Sequence, residues 1–166
     1  MALLTDYLSE PLANAILDQY QLNLNGTHGL KHWIRVWNNG ETLSRVTSAN
    51  IEVVKYFAFL HDICREDEDL DLFHGVRAAK LIKNVLQPNF LHLSDQDAKM
   101  LEFAVQRHTF GMTKADPTIM TCLDSDRLDL GRVGIKPHPG RLCTDAAKDL
   151  EMIRLAYEAS QDKEIE

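Results

Sequence analysis

Long apolar runs are missing from this 166-residue sequence. Nothing in it approaches the ~20 apolar residues a membrane-spanning helix needs, so no membrane partner is expected. Basic residues are also short. The 18 Lys and Arg against 25 Asp and Glu leave a formal charge of −7. That argues against a duplex-binding surface, because phosphate contacts need clustered cations. It leaves room for a small anion held by a few local arginines. Cysteine is scarce and odd in number. Cys64, Cys122 and Cys143 include no CxxC spacing, which argues against a thiolate zinc site or a disulfide framework and reads as buried free thiols. No Pro-, Gly- or Ser-rich stretch is long enough for a linker, and no repeat is visible. The opening residues, Met1 to Asp6, lack a basic region followed by a long apolar core, so no secretory signal is expected and a cytoplasmic home is the default.

What is present is the ordinary balance of a globular protein, 45% hydrophobic and 26% charged residues, in a length that fits one domain with a proper core. Histidine stands out: six of seven fall between residues 27 and 110. Helix signals run the length of the chain. Ser9-Glu10-Pro11 reads as an N-cap with proline in the first turn, followed by Leu12, Ile16 and Tyr20 at helical spacing. A second helix is predicted over 30–45, with Trp33, Val36, Trp37 and Leu43 as its apolar positions. The third begins near Ser48 or Asn50 and becomes apolar nearly all round, the mark of a buried central helix, before reaching His61-Asp62. Residues 66–71 read as a polar loop. A helix over 73–86 is expected to stop at Pro88. Ser94 to Asp97 opens the next, which carries His108, and Pro117 begins another through Leu128, with Gly131 and Gly134 near its end. Residues 135–143 read as a loop, 145–157 as a last surface helix, and the tail after Ser160 as frayed. No segment alternates strictly, so the expected class is all-α.

The chemistry centres on Leu60-His61-Asp62. Neighbouring helical side chains project roughly 100° apart, so both reach one ion only if it sits on the helix flank between them, with other ligands from other helices. A buried apolar helix ending in two ionisable groups needs partners for them, because an unpaired buried charge is costly. A His-Asp pair alone arises often by chance. Here it keeps ordered company: His28-Gly29-Leu30-Lys31-His32-Trp33-Ile34-Arg35-Val36 upstream, and Leu123-Asp124-Ser125-Asp126-Arg127-Leu128-Asp129 downstream.

That order, His…His-Asp…Asp, resembles the HD superfamily of metal-dependent phosphohydrolases. The stretch 28–36 is similar to its first-ligand segment, a histidine followed three residues later by Arg-Val. The stretch 124–129 is similar to its last-ligand segment, usually Ala-Asp-Arg-Leu, with Ser125 as a mild departure. The resemblance covers about residues 28–134. It implies a compact HD-domain helical fold, one domain over 1–166 with flanking terminal helices, and His32, His61, Asp62 and Asp126 as ligands of a divalent ion, with Asp124 and Asp129 as the rivals of Asp126 for the last position. Residues 61–66, 74–79 and 124–135 also look like a group of small bacterial HD proteins. His28, four residues and one helical turn before His32 on the same face, is expected to support a ligand rather than be one. Several HD families bind a second metal through two further histidines, with the Asp of the pair bridging. His74 and His108 fall in that interval, although a helix-capping His74 and a core or substrate-binding His108 are equally open. His92 and His138 are expected to face solvent.

Mn, Fe, Co, Ni or Zn would suit such a mixed His/Asp set, with one or two ions per chain. Among Arg35, Arg65, Arg77, Arg107, Arg127 and Arg132, the better candidates for anion contacts are Arg65 and Arg77. Glu66 is the preferred general acid or base, with Asp67 and Glu68 as close competitors. The expected activity is hydrolysis of a nucleotide or other small phosphate ester by metal-activated water. The alternatives are an HD-type di-iron oxygenase using His32, His61, Asp62, His74, His108 and Asp126, and, ranked last, a non-enzymatic nucleotide sensor. The oligomeric state is not legible.

Overall fold

The computed structural model describes residues 3–161, and every helix predicted from sequence has a counterpart in it. The segments are α1 (Glu10–Gln19), α2 (Leu30–Thr47), α3 (Ile51–Leu60), α4 (His74–Leu81), α5 (Asp95–Arg107), α6 (Pro117–Arg127), α7 (Asp145–Lys148) and α8 (Leu150–Ser160). There is no strand among the described residues, and none of their helices is long and apolar enough to cross a membrane. The tail expected to fray lies, past Gln161, outside the described residues.

Helix α3 is the axis of the fold. Asn50 starts it by accepting the Glu52 N–H through its side chain. Val53, Val54, Phe57, Ala58, Phe59 and Leu60 are fully buried, and α3 packs against α2, α5 and α6. Each of the Val, Phe and Leu side chains contributes about 1.5–3 kcal/mol by leaving water. Trp33 and Val36 of α2 join this core, as do Leu101, Ala104 and Val105 of α5 and Leu123 of α6. Gly40 lets α2 approach closely, because a Cβ there would lie 2.5 Å from Val54 Cγ1. The consequence for chemistry is that a helix whose last turn is wholly apolar delivers His61, its C-cap, and Asp62 into the middle of the molecule.

A smaller cluster joins Leu43 and Leu128 to Leu142, Ala147, Ile153 and Ala156, and so fastens the C-terminal helices to the end of α2. Asp124, fully buried in α6, ties this region down. It accepts the N–H groups of Cys143 (2.7 Å) and Thr144 (2.8 Å) and the Thr144 hydroxyl (2.8 Å).

Three boundaries differ from expectation. Pro88 does not stop the helix that follows His74. Residues Ile82–Leu91 continue it as a π-wound stretch with Pro88 inside. In an α-helix the proline ring would strike the carbonyl four residues back, and the wider π turn relieves that clash. The stretch ends at His92, in the left-handed conformation at φ 55, where the Gln87 amide donates to the Leu93 carbonyl at 2.7 Å. The last helix is broken at Asp149, whose carboxylate instead caps α8 by accepting from Glu151 and Met152. It is also not purely a surface element, since Ile153 and Ala156 are buried. Finally, His28 is not one helical turn before His32. It precedes α2, which Gly29 caps.

Candidate metal centre

Four imidazoles meet around one carboxylate. His32 comes from the first turn of α2, His61 and Asp62 from the end of α3, His74 from the first residue of α4, and His108 from the C-cap of α5. All five are buried. The Nε2 atoms of His32 and His61 stand 3.0 Å apart, and those of His74 and His108 stand 2.8 Å apart. Asp62 lies between the pairs. Its Oδ2 is 3.5 Å from His32 Nε2 and 3.5 Å from His61 Nε2. Its Oδ1 is 2.9 Å from His74 Nε2 and 3.6 Å from His108 Nε2. Asp126, from the end of α6, adds an oxygen 3.5 Å from His32 and 3.8 Å from His61 on the first side.

The other ring nitrogens fix the tautomers. His61 Nδ1 faces the Phe57 and Ala58 carbonyls, His74 Nδ1 the Asp71 carbonyl, and His108 Nδ1 the Val105 carbonyl at 2.7 Å. A carbonyl can only accept, so each Nδ1 carries the proton and donates. His32 Nδ1 donates to Asp129 Oδ2 at 2.6 Å. Arg35 holds the same carboxylate through two bonds, of 2.6 and 3.1 Å. In the neutral rings every Nε2 therefore presents a lone pair, and two such lone pairs about 3 Å apart repel unless a proton or cation lies with them. Asp62 Oδ2 and Asp126 Oδ1 are buried without a hydrogen-bond partner, which is costly for carboxylate oxygens. Both observations call for positive charge at this point. Three overlapping sets have their ligand atoms within 4.8 Å of one another: His32, His61 and Asp62; His61, His108 and Asp126; Asp62, His74 and His108. The donor set, imidazole nitrogen with carboxylate oxygen, suits a divalent ion such as Mn, Fe, Co, Ni or Zn.

Charge within the cluster is already polarised. Burial pushes the His61 imidazole down to about 3. Burial alone would raise Asp62, yet His61, His108, His32 and His74 hold it well below the usual carboxylate range. Asp126 is likewise held low against its burial, first by Arg132 and then by the histidines. His108 is raised in spite of burial because it faces Asp62.

Gly75 makes the second pair possible. A Cβ there would lie 2.5 Å from the Val105 carbonyl oxygen and 3.2 Å from the His108 ring, so only glycine lets α4 bring His74 up to His108. Phe57 stacks on His61 with ring centroids 5.1 Å apart and planes 16° apart, fixing that ring from below.

No protein-family model matches the sequence, and no curated protein does. Among solved structures, the chain resembles the crystal structure of a predicted HD superfamily hydrolase from an uncultured Thermotogales bacterium. That likeness has a TM-score of 0.69 at 19% identity and covers 95% of this chain and 92% of the other. The chain has the HD-domain fold.

Within that fold the remaining candidate residues divide. Arg65 reaches the cluster, with Nη1 3.8 Å from Asp62 Oδ1 and 3.4 Å from His74 Nδ1. It also grips the acidic loop by donating to the carbonyls of Asp67 and Asp69. Glu66 and Arg77 are not brought to the cluster. Glu66 turns outward toward Arg77 at 3.5 Å, and Arg77 is taken by Asp71 and the Cys64 carbonyl. Both line a neighbouring cavity. The cavity that opens onto Asp62, His74, His108 and Asp126 is lined instead by Asp69 and Asp71 from that loop. His28 pairs with Glu68 at 2.7 Å, its ring 6.1 Å from that of His32. His92 is exposed. His138 is exposed too, but lines the mouth of the cluster's cavity. Sequence reasoning treats Asp129 only as a rival for the last ligand. Its signal is the spacing of three from Asp126, and its work is to hold His32.

Proposed function

We propose that the chain is a metal-dependent phosphohydrolase of the HD type, one HD domain with its core over about 28–134, acting on a nucleotide or other small phosphate ester. The observation that carries this reading is the Asp62 carboxylate, whose two oxygens each face one pair of unprotonated imidazole nitrogens. His32, His61, Asp62 Oδ2 and Asp126 would hold one divalent ion, and His74, His108 and Asp62 Oδ1 a second. Bound there, such ions would lower the pKa of a water toward ~7 and polarise a phosphoryl oxygen.

The chain's own residues do the rest. Asp129 with Arg35 fixes the tautomer and direction of His32, as a carboxylate behind a ligating histidine does. Arg65 keeps the 66–71 loop against the cluster. The cavity, about 670 Å³, has Arg65, Arg127, Arg132 and Arg141 on its walls, which suits an anionic substrate. Phe110, Leu130 and Ile135 give it an apolar side for the organic part of an ester.

The six-ligand set would also serve a di-iron oxygenase. The four arginines favour a phosphate ester over a neutral substrate. The test is phosphate release from a panel of mononucleotides and simple phosphate monoesters and diesters by protein loaded with Mn²⁺, Co²⁺ or Fe²⁺, alongside O₂ uptake. Metal-dependent phosphate release that Asp62→Ala abolishes is expected. O₂ consumption without hydrolysis by the iron-loaded protein would overturn the reading.

A further inference from the structure

The arginines around the cluster's cavity differ in what they already hold. Arg65 is committed to the Asp67 and Asp69 carbonyls. Arg127 donates to the carbonyls of Arg141 and Phe110. Arg141 is exposed at the cavity mouth, and Arg35, which lies outside the cavity, is locked on Asp129 behind His32. Arg132 is different. Its side chain is nine-tenths buried, at 10% exposure. Nη1 donates to the Asp129 carbonyl at 3.1 Å. Nη2 stands 3.7 Å from Asp126 Oδ1, too far for a hydrogen bond. The Nε–H, shielded from solvent, has no hydrogen-bond partner at all.

A buried donor left unpaired costs about 1–3 kcal/mol, and more when the group is charged. Nε and an Nη form one edge of the planar guanidinium, the edge that takes two oxygens of a phosphate at once. In Arg132 this edge makes no hydrogen bond, the residue lines the cavity, and Nη2 adjoins Asp126.

We propose that Arg132 anchors the substrate's phosphoryl group, its Nε–H and Nη2–H donating to two oxygens of the tetrahedral oxyanion beside the His/Asp cluster. The assignment rests on the phosphohydrolase reading and deepens it. It moves the anion contact from Arg77, which the fold turns to another cavity, to an arginine that follows the last aspartate of the cluster by six positions.

The test is calorimetric titration of inorganic phosphate into Mn²⁺-loaded full-length protein, comparing wild type with Arg132→Gln, Arg132→Lys and Arg45→Gln. Bound metal and thermal stability are measured on each. Arg132→Gln should weaken phosphate binding at least tenfold with metal content unchanged. Arg132→Lys, which keeps the charge and loses the fork, should fall between. Arg45→Gln, on the exposed part of α2 and outside the cavity, should change binding less than threefold. If Arg132→Gln does not fold, Arg132→Lys decides in its place: a threefold or greater loss with full metal content supports the assignment, and wild-type affinity overturns it. Wild-type affinity in a folded Arg132→Gln likewise overturns the assignment and leaves the functional reading standing. Loss of metal in the Arg132 variants also overturns it, because the residue then serves Asp126. Failure of metal-loaded wild type to bind phosphate overturns the functional reading, and this inference falls with it.

Discussion

Asp124, Asp126 and Asp129 lie within six residues of one another, and replacing each by Asn should give three different results. Asp124 accepts three hydrogen bonds, from Cys143 N, Thr144 N and the Thr144 hydroxyl, and is fully buried. An amide keeps one acceptor oxygen and turns an NH₂ toward the donors on the other side. The loss should be about 3 kcal/mol, since hydrogen bonds to a charged group are worth about 1.5–3 kcal/mol each. For a chain of this length that is a fall of about 6–12 °C in Tm, with metal content unchanged. Asp126 has a buried oxygen with no hydrogen-bond partner, 3.5 Å from His32 Nε2. Asp126→Asn should cost more than about 100-fold in metal affinity, beyond what loss of a supporting residue does. Asp129 supports His32 from behind at 2.6 Å. Asp129→Asn should weaken metal binding by about 10–100-fold, which is about 1.4–2.7 kcal/mol. The assay is metal affinity by competition with a chelating dye, with a thermal melt on each variant. If Asp129→Asn strips the metal and Asp126→Asn keeps it, the roles are reversed and the ligand register is wrong by one turn. A well-folded Asp124→Asn that has lost metal would refute the division altogether.

Gly75→Ala should push α4 from α5, because its Cβ would lie 2.5 Å from the Val105 carbonyl oxygen. We expect a loss of about 1–3 kcal/mol and one ion fewer per chain; normal Tm and full metal content would contradict the packing argument. His74→Ala and His108→Ala should each lower bound metal from two ions to one, whereas unchanged metal with a raised KM would make them substrate contacts. The metal-free protein should lose stability on acidification. The folded pKa of His61 lies below its ordinary 6.5, so its contribution is present above 6.5 and is lost as pH falls toward about 3. Asp62, Asp126 and Asp129, held below 3.8, add further losses as pH falls below that value. His108 acts the other way, since its raised pKa contributes stability below 6.5 that is lost as pH rises through the folded value. Chemical denaturation across pH 3–8 measures the balance, and rising stability below pH 6 would contradict it.

Much of this was legible in the sequence because it depends on local chemistry. The nearly all-round apolar character of the third helix toward its end identified the buried central helix, and the order of His32, His61-Asp62 and Asp126 brought out residues that the fold gathers in one place. Ser94 and Pro117 marked helix starts correctly, as local capping does. What was not legible depends on direction and on long-range packing. Glu66 is adjacent to Arg65 in sequence, yet the turn after α3 sends one toward Arg77 and the other toward Asp62. Pro88 reads as a breaker because the π winding that accommodates it is a property of the packed helix. Asp129 reads as a rival ligand until the direction of His32 is known. The unpartnered edge of Arg132 is visible only when each arginine's existing partners are known.

The central claim is that the His/Asp cluster holds divalent metal across Asp62. The most direct measurement is elemental analysis of the protein purified without chelator or added metal, giving ions per chain for wild type and Asp62→Ala. Two ions per wild-type chain and none retained by a folded Asp62→Ala are expected. A wild-type protein without bound metal, or an Asp62→Ala protein with its full complement, would contradict it.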